Sequence, residues 1–221
     1  MSTGDDTVIE GDGALLMKVL ETYDDHIVVT PLHDGVLHPG RGVVVQDEHL
    51  KPSALTQKDT SDLRALLATQ LFDAVAVSFV ADQHDIERVR AVMKEVGTSL
   101  PIVAKIETAL GVQNASEIAH VSDALMAARG DLAITMPWIE LPASMDSISH
   151  VSRETQTPWI VATQIAEGLE RFVFPTRAEI CDLAHWIQTG AAGAMVSYET
   201  AFGPKPVESV EFMRSIMKRY G

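Results

Sequence analysis

From Ser53 onward the chain repeats one pattern: a short continuous apolar run, then a stretch whose apolar residues recur at helical spacing. The runs occupy residues 74–80, 101–106, 124–127, 159–162 and 194–196. Continuous apolar runs of this length predict strands buried on both faces of a parallel sheet. Between them, residues 82–96 place Ile86, Val89, Val92 and Met93 on one helical stripe. Residues 176–189 open with a Thr-x-x-Glu capping box, Thr176 to Glu179, and stop before Gly190. Such βα alternation predicts an α/β fold, either a (β/α) barrel or an open doubly wound sheet. A closed eight-stranded barrel takes ~250 residues. Only about 170 residues follow Ser53 and they hold five βα units, so the expectation is a partial barrel of about five parallel strands.

Residues 1–52 differ in texture. Short β-type runs at 14–20, 27–30 and 42–45 are punctuated by Gly11, Gly13, Gly35, Gly40, Gly42, Pro31 and Pro39. This predicts a small antiparallel β region joined by tight turns, and a division of the chain into 1–52 and 53–221. The formal net charge is −14, from 17 basic and 31 acidic residues, which opposes binding to nucleic acid or to an anionic membrane. No apolar run reaches the ~18 residues of a membrane span. The first residues carry neither the basic nor the apolar segment of a signal peptide. The single cysteine, Cys181, admits no internal disulfide and suits a reducing compartment. Together these features predict a cytoplasmic protein, and Cys181 is expected to pack inside its helix.

Chemistry-bearing residues cluster where strands end. In Ile102-Val-Ala-Lys-Ile-Glu107, alternation puts Lys105 and Glu107 on one face. The carboxyl ends of barrel strands are where such folds place catalysis, although a structural ion pair fits the spacing equally well. After the next run comes Ala128-Arg129-Gly130-Asp131. Gly130 permits close backbone approach, and the turn leads into a short helix whose N–H groups suit a carboxylate. Glu107 and Asp131 together suit one hard cation, Mg²⁺ or Mn²⁺, with substrate oxygens and water completing the shell. Thr163 and Gln164 close the following strand, where a hydroxyl serves either substrate or a helix cap. The eight histidines show no metal-ligand spacing, and the common hydrolase and nucleotide-loop fingerprints are absent.

Six strings taken in order resemble the pyruvate kinase family: SFV (78–80), AKIETALGV (104–112), ALMAARGDLAI (124–134), VATQ (161–164), PTRAEICDLA (175–184) and MVSYETAFGPKP (195–206). EGDG (10–13) and GRGVVV (40–45) resemble the end of that family's small lid domain. The resemblance spans roughly residues 8 to 217 and implies roles. Lys105 matches the lysine that stabilises the transferring phosphoryl group and the enolate. Glu107 and Asp131 match the carboxylates that hold the divalent cation. Ala128, Arg129 and Gly130 match the turn that receives the substrate carboxylate, with Arg129 supporting it. Thr163 matches the threonine beside the methylene carbon of enolpyruvate, and Ser78 and Phe79 match residues lining the same pocket.

The departures bear on the nucleotide. Where the family usually has Arg-Lys after Ser78-Phe79-Val80, this chain has Ala81-Asp82; Tyr198 replaces a glycine and Phe202 a lysine. The first three barrel strands of the family, which carry residues for ADP and K⁺, have no counterpart in this sequence. The resemblance therefore implies a divalent-metal site for a pyruvate-type 2-oxo acid or enol phosphate, with enolate chemistry (aldol, decarboxylase or lyase) favoured over phosphoryl transfer. The alternatives are phosphoryl transfer from phosphoenolpyruvate to ADP with a partner subunit, and a non-catalytic metabolite-binding or regulatory subunit. A sheet of five parallel strands leaves two unpaired edges, which predicts a homo-oligomer or, second, a partner chain supplying the missing strands.

Overall fold

The computed structural model describes residues 7–10, 13, 15–40, 42–45 and 55–221. Four antiparallel strands form the first region: β1 (Thr7–Glu10), β2 (Leu15–Thr22), β3 (Ile27–Pro31) and β4 (Val43–Val45), in the order β3-β2-β1-β4. The β-rich start is as expected, and β1 is an additional strand that its short, glycine-bounded sequence concealed. Along β2, Leu15, Met17 and Val19 are buried while Lys18 and Leu20 face out, the period of two that a one-faced sheet requires. With Val8 they form a small core against Val29 and Val45. The predicted boundary at residues 52 and 53, together with Gly11, Asp12 and Arg41 of the lid-like strings and Ala14 at the start of the predicted run 14–20, lies outside the described residues.

The second region is a five-stranded parallel sheet in strictly sequential order: β5 (Val75–Val77), β6 (Ile102–Ile106), β7 (Ala124–Ala128), β8 (Trp159–Ala162) and β9 (Gly193–Met195). The helices are α1 (Gln57–Ala68), α2 (Gln83–Val96), α3 (Ala109–Gln113), α4 (Ala115–Val121), α5 (Arg129–Thr135), α6 (Leu141–Thr155), α7 (Gly168–Arg171), α8 (Arg177–Gln188), α9 (Tyr198–Ala201) and α10 (Pro206–Tyr220). Every strand predicted from an apolar run is present. The first is shorter than its run: β5 ends at Val77 because the backbone turns into the left-handed region at Phe79, φ +54°.

Local sequence explains the helix starts. Thr56 with Asp59, Asp82 with Asp85, and Thr176 with Glu179 each form a complete capping box, satisfying amides that the first turn leaves open. Gly97, φ +78°, closes α2 in the left-handed conformation that glycine adopts without strain. The main core is built from the sheet and its helices, with Trp159, Ile102, Ile106, Leu125, Ile86 and Ile148 fully buried. Trp159 meets Trp186 of α8 edge-to-face, with ring centroids 5.8 Å apart. Burial along β6 alternates: Ile102, Ala104 and Ile106 are buried, whereas Val103 and Lys105 stay partly open. The helices thus cover one face of the sheet, and the other presents the residues that carry chemistry.

Candidate functional site

The carboxyl ends of β5 and β6 form the first half of the site. Their register pairs Val77 with Ala104, so the residues just beyond each strand lie side by side. Lys105 Nζ donates to Ser78 Oγ at 3.0 Å and meets Glu107 Oε1 at 2.7 Å. Glu107 has no solvent exposure, and its Oε2 accepts the Phe79 N–H at 2.6 Å. Its Oε1, also buried, is paired with the Lys105 ammonium. A buried carboxylate costs free energy unless a cation pairs with it, and Lys105 is that cation. Phe79 stays in its left-handed backbone conformation because its amide is held by Glu107. The structure thus brings together four of the residues picked out from sequence: Ser78, Phe79, Lys105 and Glu107.

The second half lies at the ends of β7 and β8. Register places Ile106 opposite Ala127 and Ala128 opposite Ala162. Ala128 starts α5 without a side-chain cap, and Asp131 sits in the first turn of that helix, at the end of the strand next to β6. Gly130 gives close approach: a Cβ there would lie 3.1 Å from Thr163 Cγ2 and 3.4 Å from Thr163 Oγ1. The Thr163 side chain therefore rests against the first turn of α5. Thr163 and Gln164 both have positive φ, +73° and +54°. Two consecutive left-handed non-glycine residues are uncommon, and such strain concentrates at functional loops.

Arg129 is placed as a support. Nε donates to the Ala162 carbonyl at 3.1 Å, Nη2 donates to the carbonyls of Thr163 and Gln164, and Nη1 donates to Asp182 Oδ2. With its donors engaged in the loop and in α8, the guanidinium acts through backbone. Beside it a cleft of about 480 Å³ is lined by Arg129, Thr163, Gln164, Glu167 and Asp182, among others. Burial in that cleft raises the Glu167 carboxyl above its ordinary value, and the charges of Glu199, Glu170 and Glu179 add to the effect.

Of the carboxylates that hold these loops, sequence reasoning found Glu179, as a helix cap, and missed Glu199 and Asp85. Glu199, 1% exposed, accepts the N–H groups of Ile165, Ala166 and Ser197. Asp85, fully buried, accepts the Ala81 N–H at 2.7 Å. Glu179 accepts from Gly168 and Thr176. Only Glu179 and Asp85 carried a signal, the capping box. Cys181 corrects an expectation: it is exposed on α8, because the buried face of that helix belongs to Leu183, Trp186 and Ile187. Among the described residues no group of three or more His, Cys, Asp or Glu side chains is arranged to hold a metal. No helix among the described residues is long and apolar enough to cross a membrane.

A parallel half-barrel with a lysine, carboxylates and a glycine turn at the carboxyl ends of its strands has the layout in which barrel folds place their active sites. Comparison with known proteins specifies it: the family model for the barrel domain of pyruvate kinase matches residues 1–210, and the chain belongs to that family. It is 39% identical over 212 residues to the pyruvate kinase of Chlamydia muridarum, covering 96% of this chain and 44% of that protein. With the pyruvate kinase of Thermotoga maritima the identity is 33%, covering 96% of this chain and 46% of the relative. With that of Mycobacterium tuberculosis (strain H37Rv) it is 34%, covering 96% and 45%. The chain therefore spans less than half the length of these curated relatives.

Proposed function

We propose that the chain is a pyruvate kinase-like, divalent-metal-dependent enzyme that acts on a pyruvate-type 2-oxo acid through its enolate. The observation that carries this reading is the position of Lys105, in contact with both Ser78 and the fully buried Glu107 at adjacent strand ends. Two carboxylates at adjacent strand ends suit a hard cation: Glu107 is fully buried after β6, and Asp131 stands in the first turn of α5 after the neighbouring strand. Glu107 and Asp131 would hold Mg²⁺ or Mn²⁺, which supplies Lewis acidity to a chelated 2-oxo acid when bound. Lys105 places positive charge where the enolate oxygen develops as the methyl proton passes to solvent water. Thr163, against Gly130, faces the substrate over the first turn of α5.

Enolate chemistry is favoured over phosphoryl transfer by three positions. Asp82 is committed to capping α2, Ala81 is fully buried, and Phe202 is 83% exposed, where the family's basic residues stand. The test is exchange of the pyruvate methyl protons for deuterium, followed by NMR with Mg²⁺ or Mn²⁺. Metal-dependent exchange is expected without ADP. Its absence, or ADP-dependent formation of pyruvate from phosphoenolpyruvate, overturns the assignment.

We further propose a homo-oligomer. Strands β5 and β9 are the edges of the sheet, Ala76 of β5 is exposed, and Leu71, Phe72, Phe202 and Val207 add exposed apolar surface. Unpaired edges flanked by apolar surface favour association. Light scattering should return a multiple of 24 kDa; a well-folded monomer contradicts this.

A further inference from the structure

Thr163 and Gln164 are held in the left-handed region from both sides. On one side the Arg129 guanidinium collects three successive carbonyls, of Ala162, Thr163 and Gln164. It is itself fixed by Asp182, whose Oδ1 accepts Trp186 Nε1 at 2.7 Å. On the other side Glu199 collects the next two amides: Oε1 accepts Ile165 N–H at 3.1 Å and Ala166 N–H at 3.0 Å. Its Oε2 accepts Ser197 N–H at 2.7 Å, so one buried carboxylate ties the loop after β8 to the loop after β9. A cation on consecutive carbonyls and an anion on the consecutive amides that follow form an electrostatic clamp around a strained dipeptide. A β-branched residue such as Thr163 leaves the left-handed region readily when nothing holds it.

We propose that Glu199 is a positioning residue: with Arg129 and Asp182 it holds the Thr163–Gln164 backbone in a strained conformation, and so sets the Thr163 side chain against the first turn of α5. The catalytic consequence rests on the function proposed above; the clamp itself does not. Glu199→Gln preserves volume and turns one of the two accepting ends into a donor facing an N–H. Gln164→Gly removes the steric cost of φ +54° without touching the clamp. A carboxylate that only fills space gives two effects that add; a clamp acting on strain couples them.

The experiment follows the Thr163 methyl resonance in threonine-methyl-labelled protein, assigned by its loss in Thr163→Ser. The resonance should shift in Glu199→Gln, stay near its wild-type position in Gln164→Gly, and return toward that position in the double variant. Asp182→Asn, which loosens the guanidinium side, should shift it too and serves if Glu199→Gln does not fold. The rate of pyruvate methyl exchange should fall roughly ten- to a hundredfold in Glu199→Gln with KM little changed, and recover in the double variant. An unmoved resonance in both clamp variants, or a shift that Gln164→Gly does not reverse, overturns the proposal. If wild type shows no exchange yet the resonance behaves as described, the clamp stands and the enolate assignment fails.

Discussion

The two halves of the site are built by different means. At the ends of β5 and β6 the working parts are side chains in direct contact, Ser78, Lys105 and Glu107. At the end of β8 the working part is a backbone conformation, and its charged residues, Arg129, Asp182 and Glu199, act on peptide groups. The first half depends on charge balance inside the fold. The second depends on strain held by groups distant in sequence. A substitution that conserves shape but changes charge should therefore act most strongly on the first half, and one that changes backbone freedom on the second.

The largest expected effect follows from Lys105→Met. It leaves the fully buried Glu107 without its cation, which should cost about 2–4 kcal/mol of stability by urea unfolding, and it should lower methyl exchange roughly 100-fold or more. Adding Glu107→Gln should restore most of the stability and none of the activity. If the double variant is no more stable than Lys105→Met alone, the ion pair is not what balances this half of the site.

That contrast also explains what the sequence revealed. Lys105 and Glu107 were legible because strand alternation fixes side-chain direction two residues apart. The five parallel strands were legible because their short continuous apolar runs stand out between helical stretches, although one face is less buried than such runs predict: Val103 and Lys105 of β6 stay partly open. The left-handed turns at Phe79, Thr163 and Gln164 were not legible, since none of these is glycine and their conformations are imposed by Glu107, Arg129 and Glu199. Glu199 lies 34 residues from Ile165, a separation that no local pattern spans. Arg129 was legible as a support of its turn, but its partner Asp182 was not. Strand β1 was missed because four residues between glycine-rich segments carry little periodicity.

The smallest expected effect concerns Glu167, on the flank of the second half. Burial first, and then the charges of Glu199, Glu170 and Glu179, raise its carboxyl above the ordinary range. The sign follows: the folded state favours the protonated form, so the stabilising contribution is complete below the ordinary carboxylate value. It is lost as the pH rises through the raised value. Glu167→Gln should therefore raise the melting temperature at neutral pH by about 1–3 °C. The gain should vanish below the ordinary carboxylate range, where Glu167 is already neutral. A gain that persists unchanged in acid would mean the repulsion among these carboxylates is not its source.

Glu107 and Asp131, at the ends of neighbouring strands, are proposed to serve one cation site that a 2-oxo acid completes. Mn²⁺ binding followed by electron paramagnetic resonance, with and without oxalate as a stand-in for the enolate, tests it directly. One site per chain is expected, tightening with oxalate and weakening roughly 10- to 100-fold in both Glu107→Gln and Asp131→Asn. Mn²⁺ binding that ignores oxalate and survives both substitutions unchanged would contradict it.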